Sequence, residues 1–227
     1  MNITFYGQSS FSIELNGKNL VFDPFISPNP KAGNVDVDAI KADYVLLSHG
    51  HGDHVADAER IAKNNKARII SNYEIVTWYG QKDIDGHPLN HGGKWKFDFG
   101  TVKYVNAVHS SVLPDGTYGG NPGGFVIWNE DVCFYFAGDT ALTLDMKLIP
   151  ITCPKLDFAI LPIGDNFTMG YEDAAIAAEY IECDTIIGCH FDTFGYIEID
   201  HNAAKEAFKK RGKNLILPSV GEKVGGV

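Results

Sequence analysis

Residues 46–54 read LLSHGHGDH, an apolar run that ends in His49, His51, Asp53 and His54. This stretch constrains the fold more than any other. A buried strand has to deliver four metal-ligating side chains into one tight turn. On an extended segment His49 and His51 point to the same side. Asp53 and His54 fall where a helical pattern starts, with Val55, Ala58, Ile61 and Ala62 sharing one face. Neutral imidazole and carboxylate are the usual ligands of Zn²⁺ and similar ions. Gly50 and Gly52 remove side-chain bulk and permit unusual backbone angles, which predicts a tight turn. A solvated loop that happens to hold histidines does not account for four ligand-type residues in six positions with glycines between them.

Such a turn cannot complete a coordination sphere. Three other candidates each end an apolar, strand-like run: His109 after VKYVNAV, Asp139 after CFYFAG and His190 after TIIGC. Strand ends are where open sheets place their sites. His87, His91 and His201 end no such run and are expected to lie outside the site.

The rest of the chain alternates short strands and helices. ITFYG, SFSIEL and NLVFDP read as strands, as do ARII, LDFAILPIG and KNLILPS. HVADAERIAKNN, ALTLDMKLI, MGYEDAAIAAEYIE and NAAKEAFKKRG read as helices. Ser71 followed by Glu74 predicts a capped helix start. GGKWKFDFGTVKYVNAVHS predicts paired strands turning at Phe99-Gly100, and GFVIWNEDVCFYFAGDT a hairpin through Asn129-Glu130-Asp131. The Gly/Pro-rich loop 110–123 follows His109 directly and is expected to form a lip or lid over the site. No solenoid repeat or linker divides the 227 residues, so residues 1–227 are expected to form a single domain.

The net charge of −10 argues against a nucleic-acid backbone or an anionic membrane surface as partner. A small-molecule substrate fits better, and a homo-oligomer stays open. The four cysteines form no C-x-x-C pair and are expected to be reduced thiols. With no basic, apolar leader-like segment at the N-terminus, a cytoplasmic location is expected.

HGHGDH followed by a later histidine, an aspartate and a last histidine resembles the metallo-β-lactamase superfamily over essentially the whole chain. TFYGQSSFSIE, DPFISPNP, HSS, AGDT, LPIGDNFTMG and CHFDTF resemble its UPF0173 metal-dependent hydrolases, which are related to the ascorbate-6-phosphate lactonase group. The resemblance implies an α+β fold, a four-layer αββα sandwich with a metal site along one edge. It implies two divalent ions. His49, His51 and His109 would hold the first, Asp53, His54 and His190 the second, and Asp139 would bridge them. Zn²⁺ is the default, and Mn²⁺ is the alternative because the lactonase relatives are associated with it.

Asp23, in VFDPF, resembles an aspartate that supports the histidine turn, although a plain turn residue before Pro24 reads equally well. Asp165, Asn166, Phe167, Asp192 and Thr193 follow buried strands and are candidates for the pocket wall; ordinary loop packing explains each of them as well. The expected activity is hydrolysis of a small ester, lactone or phosphorylated metabolite, with Asp53 as ligand and proton carrier. Asp139 stands where many lactamases carry cysteine, which argues against antibiotic hydrolysis. A phosphodiesterase or nuclease of the same superfamily is the alternative enzyme. The RNA-processing branch carries an inserted domain for which this chain is too short. A di-iron enzyme with a flavin partner would need an extension this chain lacks. A non-catalytic metal-dependent binding or regulatory protein is the remaining reading.

Overall fold

The computed structural model describes residues 1–33 and 35–225. Two sheets face one another. The first runs β1 (Asn2–Gly7), β2 (Ser10–Leu15), β3 (Lys18–Phe22), β4 (Tyr44–Leu46), β5 (Arg68–Asn72) and β6 (Gly86–Leu89), in that spatial order. The second runs β7 (Lys94–Lys96), β8 (Thr101–Asn106), β9 (Gly123–Trp128), β10 (Cys133–Phe136), β11 (Phe158–Pro162), β12 (Thr185–Cys189) and β13 (Asn214–Ile216), again in order. Each sheet has an antiparallel part and a parallel part. β3 to β6 are parallel in the first sheet, and β10 to β13 in the second.

The helices are α1 (Gly52–Val55), α2 (Ala58–Asn65), α3 (Tyr73–Gly80), α4 (Ile149–Thr152), α5 (Tyr171–Tyr180) and α6 (His201–Lys210). Three apolar layers separate four layers of structure, which makes the expected αββα sandwich. The middle layer lies between the sheets and is aromatic: Phe5, Phe11 and Phe22 from one side meet Phe125, Phe134, Phe136 and Phe158 from the other. Phe22 and Phe136 pack with ring centroids 4.9 Å apart. The outer face of the first sheet is covered by α2 and α3 through Ala58, Ile61 and Ile75. Ala174, Ala175, Ala177 and Ala178 of α5 and Phe208 of α6 cover the second sheet. Alanines let α5 approach closely, so its burial comes from backbone proximity rather than side-chain bulk. Parallel strands covered on both faces read as continuous apolar runs, as FAILP of β11 does.

Several local expectations are corrected. The single helix expected over residues 54–65 is broken into α1 and α2, because Asp57 leaves the helical pattern. Its carboxylate instead accepts the amides of Ile26 and Ser27 at 2.7 and 2.8 Å. Ser71 does not cap α3. It lies in β5 and donates its hydroxyl to Leu47 O, while Asn72 accepts the Ile75 amide at 2.9 Å and serves as the cap. The helix expected at 141–149 is a 3₁₀ turn, Leu144–Leu148, running into the short α4. The hairpin through residues 129–131 forms as expected. All four cysteines are free thiols, and Cys189 packs in the layer between the sheets. Among the described residues no helix is long and apolar enough to cross a membrane.

Candidate metal centre

The C-terminal ends of the parallel strands converge on one edge of the sandwich. β4 ends in the histidine turn, β10 leads to Asp139, and β12 leads to His190. β8 leads to His109, and β3 leads to Asp23. The turn itself works differently from the expectation. Gly50 and Gly52 do not take positive φ angles. Gly50 is required for space, since a Cβ there would meet Val112 and Leu113 at 3.2 Å, whereas Gly52 opens α1 with nothing within 4 Å. The glycine in the left-handed region is Gly138 (φ +62), where a Cβ would lie 2.5 Å from Ser48. That close approach brings Asp139 against the histidine turn.

The ligand-type atoms form two groups. Those of His49, His51 and His109 lie within 4.8 Å of one another, and so do those of Asp53, His54, Asp139 and His190. Asp139 Oδ2 stands between the groups. It is 3.1 Å from His190 Nε2, 3.2 Å from His54 Nε2, 3.6 Å from His109 Nε2 and 4.0 Å from His49 Nε2. Asp53 Oδ2 lies 3.5 Å from His54 Nε2 and 3.6 Å from His190 Nε2. His49, His54, Asp139 and His190 are buried, while His51, Asp53 and His109 are partly open to solvent.

Burial normally obliges a polar atom to find a partner. Here His49 Nε2, His54 Nε2 and Asp139 Oδ1 are buried with none. Their remaining atoms are engaged, which fixes where the free lone pairs point. His54 Nδ1 contacts Asp23 Oδ2 at 2.8 Å. The hydroxyl of Ser48 donates to the same carboxylate at 2.5 Å, and the Ser48 amide donates to Asp23 Oδ1 at 2.8 Å. With its proton spent on Asp23, the Ser48 hydroxyl can only accept from His49 Nδ1, 2.9 Å away. Both imidazoles therefore present an Nε2 lone pair to the cluster, a carboxylate–histidine arrangement typical of metal ligands. Unpartnered nitrogen and oxygen acceptors converging on one point fit a divalent cation.

The electrostatics agree. Burial, reinforced by His54, pushes His49 well below its ordinary range and keeps it neutral. Burial opposes charge on His190 as well, yet Asp139 and Asp53 push it up to about 9. His54 rises well above its usual value against burial, drawn up by Asp139, Asp53 and Asp23. Asp139 and Asp53 sit well below the carboxylate range; burial resists this, and the imidazoles of His190 and His54 overcome it. The cluster is short of positive charge and draws protons to the side where a cation would sit.

Gln8 was missed in the sequence reading. It sits in the tight turn between β1 and β2 with a left-handed backbone (φ 53). Its Nε2 donates to Asp53 Oδ2 at 2.9 Å, and its carbonyl accepts the His190 amide at 2.8 Å. GQSSF signals the family resemblance but carries no ligand chemistry, so only the fold reveals the contact.

The pocket candidates separate. Asp165 and Asn166 are exposed, both left-handed, and Asp165 turns its own loop by accepting the Asn166 amide at 2.8 Å. Phe167 at the tip of that loop is 51% exposed. Asp192 contacts His201 Nε2 at 2.6 Å and the Ile199 amide at 3.0 Å, and with Thr193 and Gln8 it lines a cavity that none of the seven residues enters. Thr193 is buried against its own loop. His91 contacts Pro122 O and His87 stacks beside Trp95, so neither joins the cluster. Loop 110–122 is fastened down rather than free. Ser111 Oγ accepts the Gly50 amide at 3.1 Å and donates to Gly119 O at 2.9 Å, and Asn72 Nδ2 donates to Gly119 O at 2.7 Å. It borders the site, with Ser110 Oγ 3.3 Å from His51 Nε2.

Comparison with known proteins follows the same lines. The family model described as "Beta-lactamase superfamily domain" matches residues 2–190. A UPF0173 metal-dependent hydrolase of Flavobacterium johnsoniae is 61% identical over 224 residues, covering 99% of each chain. One of Christiangramia forsetii is 58% identical over 225 residues, again covering 99% of each. Among solved structures, Igni18, a metallo hydrolase of Ignicoccus hospitalis, superposes with a TM-score of 0.89 at 31% identity, covering 98% of this chain and 97% of its own. The chain belongs to the β-lactamase superfamily, within its UPF0173 group of metal-dependent hydrolases.

Proposed function

We propose that residues 1–227 act as one hydrolase domain whose seven side chains hold two divalent ions. The substrate is a small ester, lactone or phosphorylated metabolite. The observation that carries this reading is the position of Asp139 Oδ2, within 3.1–4.0 Å of imidazoles from both ligand groups. His49, His51 and His109 would hold one ion, Asp53, His54 and His190 the other, and Asp139 both. The donor set is nitrogen and oxygen without thiolate, which suits Zn²⁺ and admits Mn²⁺. Such a pair of ions supplies an acidified water at neutral pH and a positive field for the attacked and departing oxygens.

The protein's own groups supply the rest. Asp23 and Ser48 hold the His54 and His49 rings so that Nε2 faces inward. The sandwich buries one wall of the site and leaves His51, Asp53 and His109 at the mouth, where substrate arrives. Asp53, with its side chain 28% exposed, can take up a proton at its carboxylate and pass it to the leaving group.

Elemental analysis of purified protein, combined with a panel of lactones, thioesters, phosphomonoesters and phosphodiesters, tests this reading. Two ions per chain are expected, with activity lost in His49→Ala. Metal-loaded protein inert across the whole panel would favour a binding or regulatory role instead. Gln8→Asn offers a finer check. Asparagine tolerates the left-handed backbone but is too short to reach Asp53. Affinity for the second ion should fall about 10- to 100-fold, as loss of a ligand's hydrogen-bond partner commonly does, while the first ion binds normally. Calorimetric metal titration reads both steps, and an unaltered second step would remove Gln8 from the site.

A further inference from the structure

The segments that carry or adjoin the seven residues, 46–57, 107–122, 137–143, 163–170 and 190–200, contain no lysine or arginine, although they contain several carboxylates. Sites that select phosphate or carboxylate substrates normally add an arginine or lysine for the anion. The same segments instead hold large rings in solvent. Phe167 is 51% exposed and Tyr196 80%, and they meet edge to face with centroids 6.3 Å apart.

The loops that carry these rings are anchored to the strand ends of the cluster. Gly164 lies so close to His190 that a Cβ would sit 2.0 Å from its carbonyl oxygen. Met169 donates its amide to Thr140 O at 3.0 Å. The Phe167 loop is thus clamped between the strand ends that carry His190 and Asp139. Asp165 and Asn166 turn the chain with left-handed angles of 61° and 56° just before Phe167, a conformation Asp and Asn adopt more readily than other non-glycine residues. Tyr196 stands on the loop after His190, closed by the Asp192 amide bonding Ile197 O at 2.8 Å. On that loop Phe194 also packs on Phe25, which follows Asp23, with centroids 6.1 Å apart.

We infer that the substrate is an uncharged ester or lactone carrying a flat apolar group, which lies against Phe167 and Tyr196, and that phosphorylated metabolites are disfavoured. This rests on the hydrolase reading above and narrows it. Water adds across the acyl–oxygen bond: the acyl carbon gains OH, the ester C–O bond breaks, and the leaving oxygen takes the proton. Lys31 and Lys205 line a separate cavity of about 410 Å³, bordered by Gln8 and Thr193, and none of the seven residues lines it.

Two γ-lactones with the same scissile bond test the inference on metal-loaded protein, one bearing a phenyl and the other a phosphomethyl substituent. The phenyl lactone should be preferred at least about 30-fold in kcat/KM. Phe167→Ala and Tyr196→Ala should each raise its KM about 3- to 10-fold, the range an aromatic contact gives, with kcat and metal content unchanged. A preference for the phosphomethyl lactone would overturn the inference, as would an unchanged KM in both variants. So would a KM unchanged while the variants alter the protein's sedimentation, which would assign the rings to contact between copies of this chain. Calorimetric binding of the phenyl lactone separates the two readings. Ring-dependent binding without turnover keeps the aromatic wall and removes the hydrolase assignment, whereas binding indifferent to both rings removes the wall.

Discussion

Asp139→Ala is expected to leave the purified protein with less than one ion per chain and to lower turnover by at least about three orders of magnitude, on the order of 4 kcal/mol in activation free energy. Among the described residues Asp139 Oδ2 is the one carboxylate oxygen within 4.0 Å of His49, His54, His109 and His190 together. Its removal takes a ligand from both groups and leaves Asp53 as the only ligand carboxylate beside His54 and His190 among the described residues. The metal-free proteins give an independent check. His190 is raised to about 9 and His54 also lies well above 6.5, both with Asp139 among the causes. A group whose pKa is higher folded than unfolded stabilises fully below the unfolded value and loses that contribution as pH rises through the folded value. Metal-free wild type should therefore lose Tm as pH rises from about 6.5 towards 9. His49, lowered by burial, acts in the opposite sense but below that window. In Asp139→Ala the slope between these pH values should largely flatten. Retention of two ions with near-normal turnover would mean that Asp139 bridges nothing.

What could be read beforehand divides by physical cause. The histidine turn was legible because four ligand-type residues lie within six consecutive positions after an apolar run. His109, Asp139 and His190 were legible for a related reason: each follows an apolar, strand-like run, and strand ends gather at one edge of the sandwich; Asp139 and His190 follow parallel strands and His109 the antiparallel β8. Gln8 was not legible. It is a neutral amide, it reaches Asp53 across 45 positions, and its role depends on a left-handed turn conformation that no local pattern announces. Asp192 follows His190 closely and lines a cavity, but that its carboxylate is engaged by His201 depends on a left-handed backbone (φ 58) that the sequence does not announce. The helix starting near residue 71 was correctly expected but capped one residue late, since Ser71 and Asn72 are both good caps and only the extent of β5 decides between them. The break between α1 and α2 reflects Asp57, whose buried bonds to residues 26 and 27 are tertiary and override helical spacing.

Asp53→Ala is expected to cut turnover by orders of magnitude while the first ion remains bound. His49, His51 and His109 form a group of their own and do not need Asp53 to converge. In the other group His54, Asp139 and His190 are buried, so Asp53 is the member that faces both the ligand cluster and solvent. Gln8 and the second ligand group engage its Oδ2. The other oxygen has no hydrogen bond among the described residues and is free to take a proton from the mouth of the site. Loss of turnover in the alanine variant alone does not separate ligation from proton transfer, but Asp53→Asn does. Asparagine keeps a neutral oxygen that can ligate but cannot carry a proton between water and leaving group. If proton transfer is its task, Asp53→Asn should bind two ions yet lose about 10²- to 10⁴-fold in kcat, the usual contribution of a general acid or base, and the loss should shrink for substrates whose leaving group needs no proton. If Asp53 serves only as a ligand, the asparagine variant should turn over normally whenever both ions are bound. Unchanged turnover in Asp53→Ala would reject both roles.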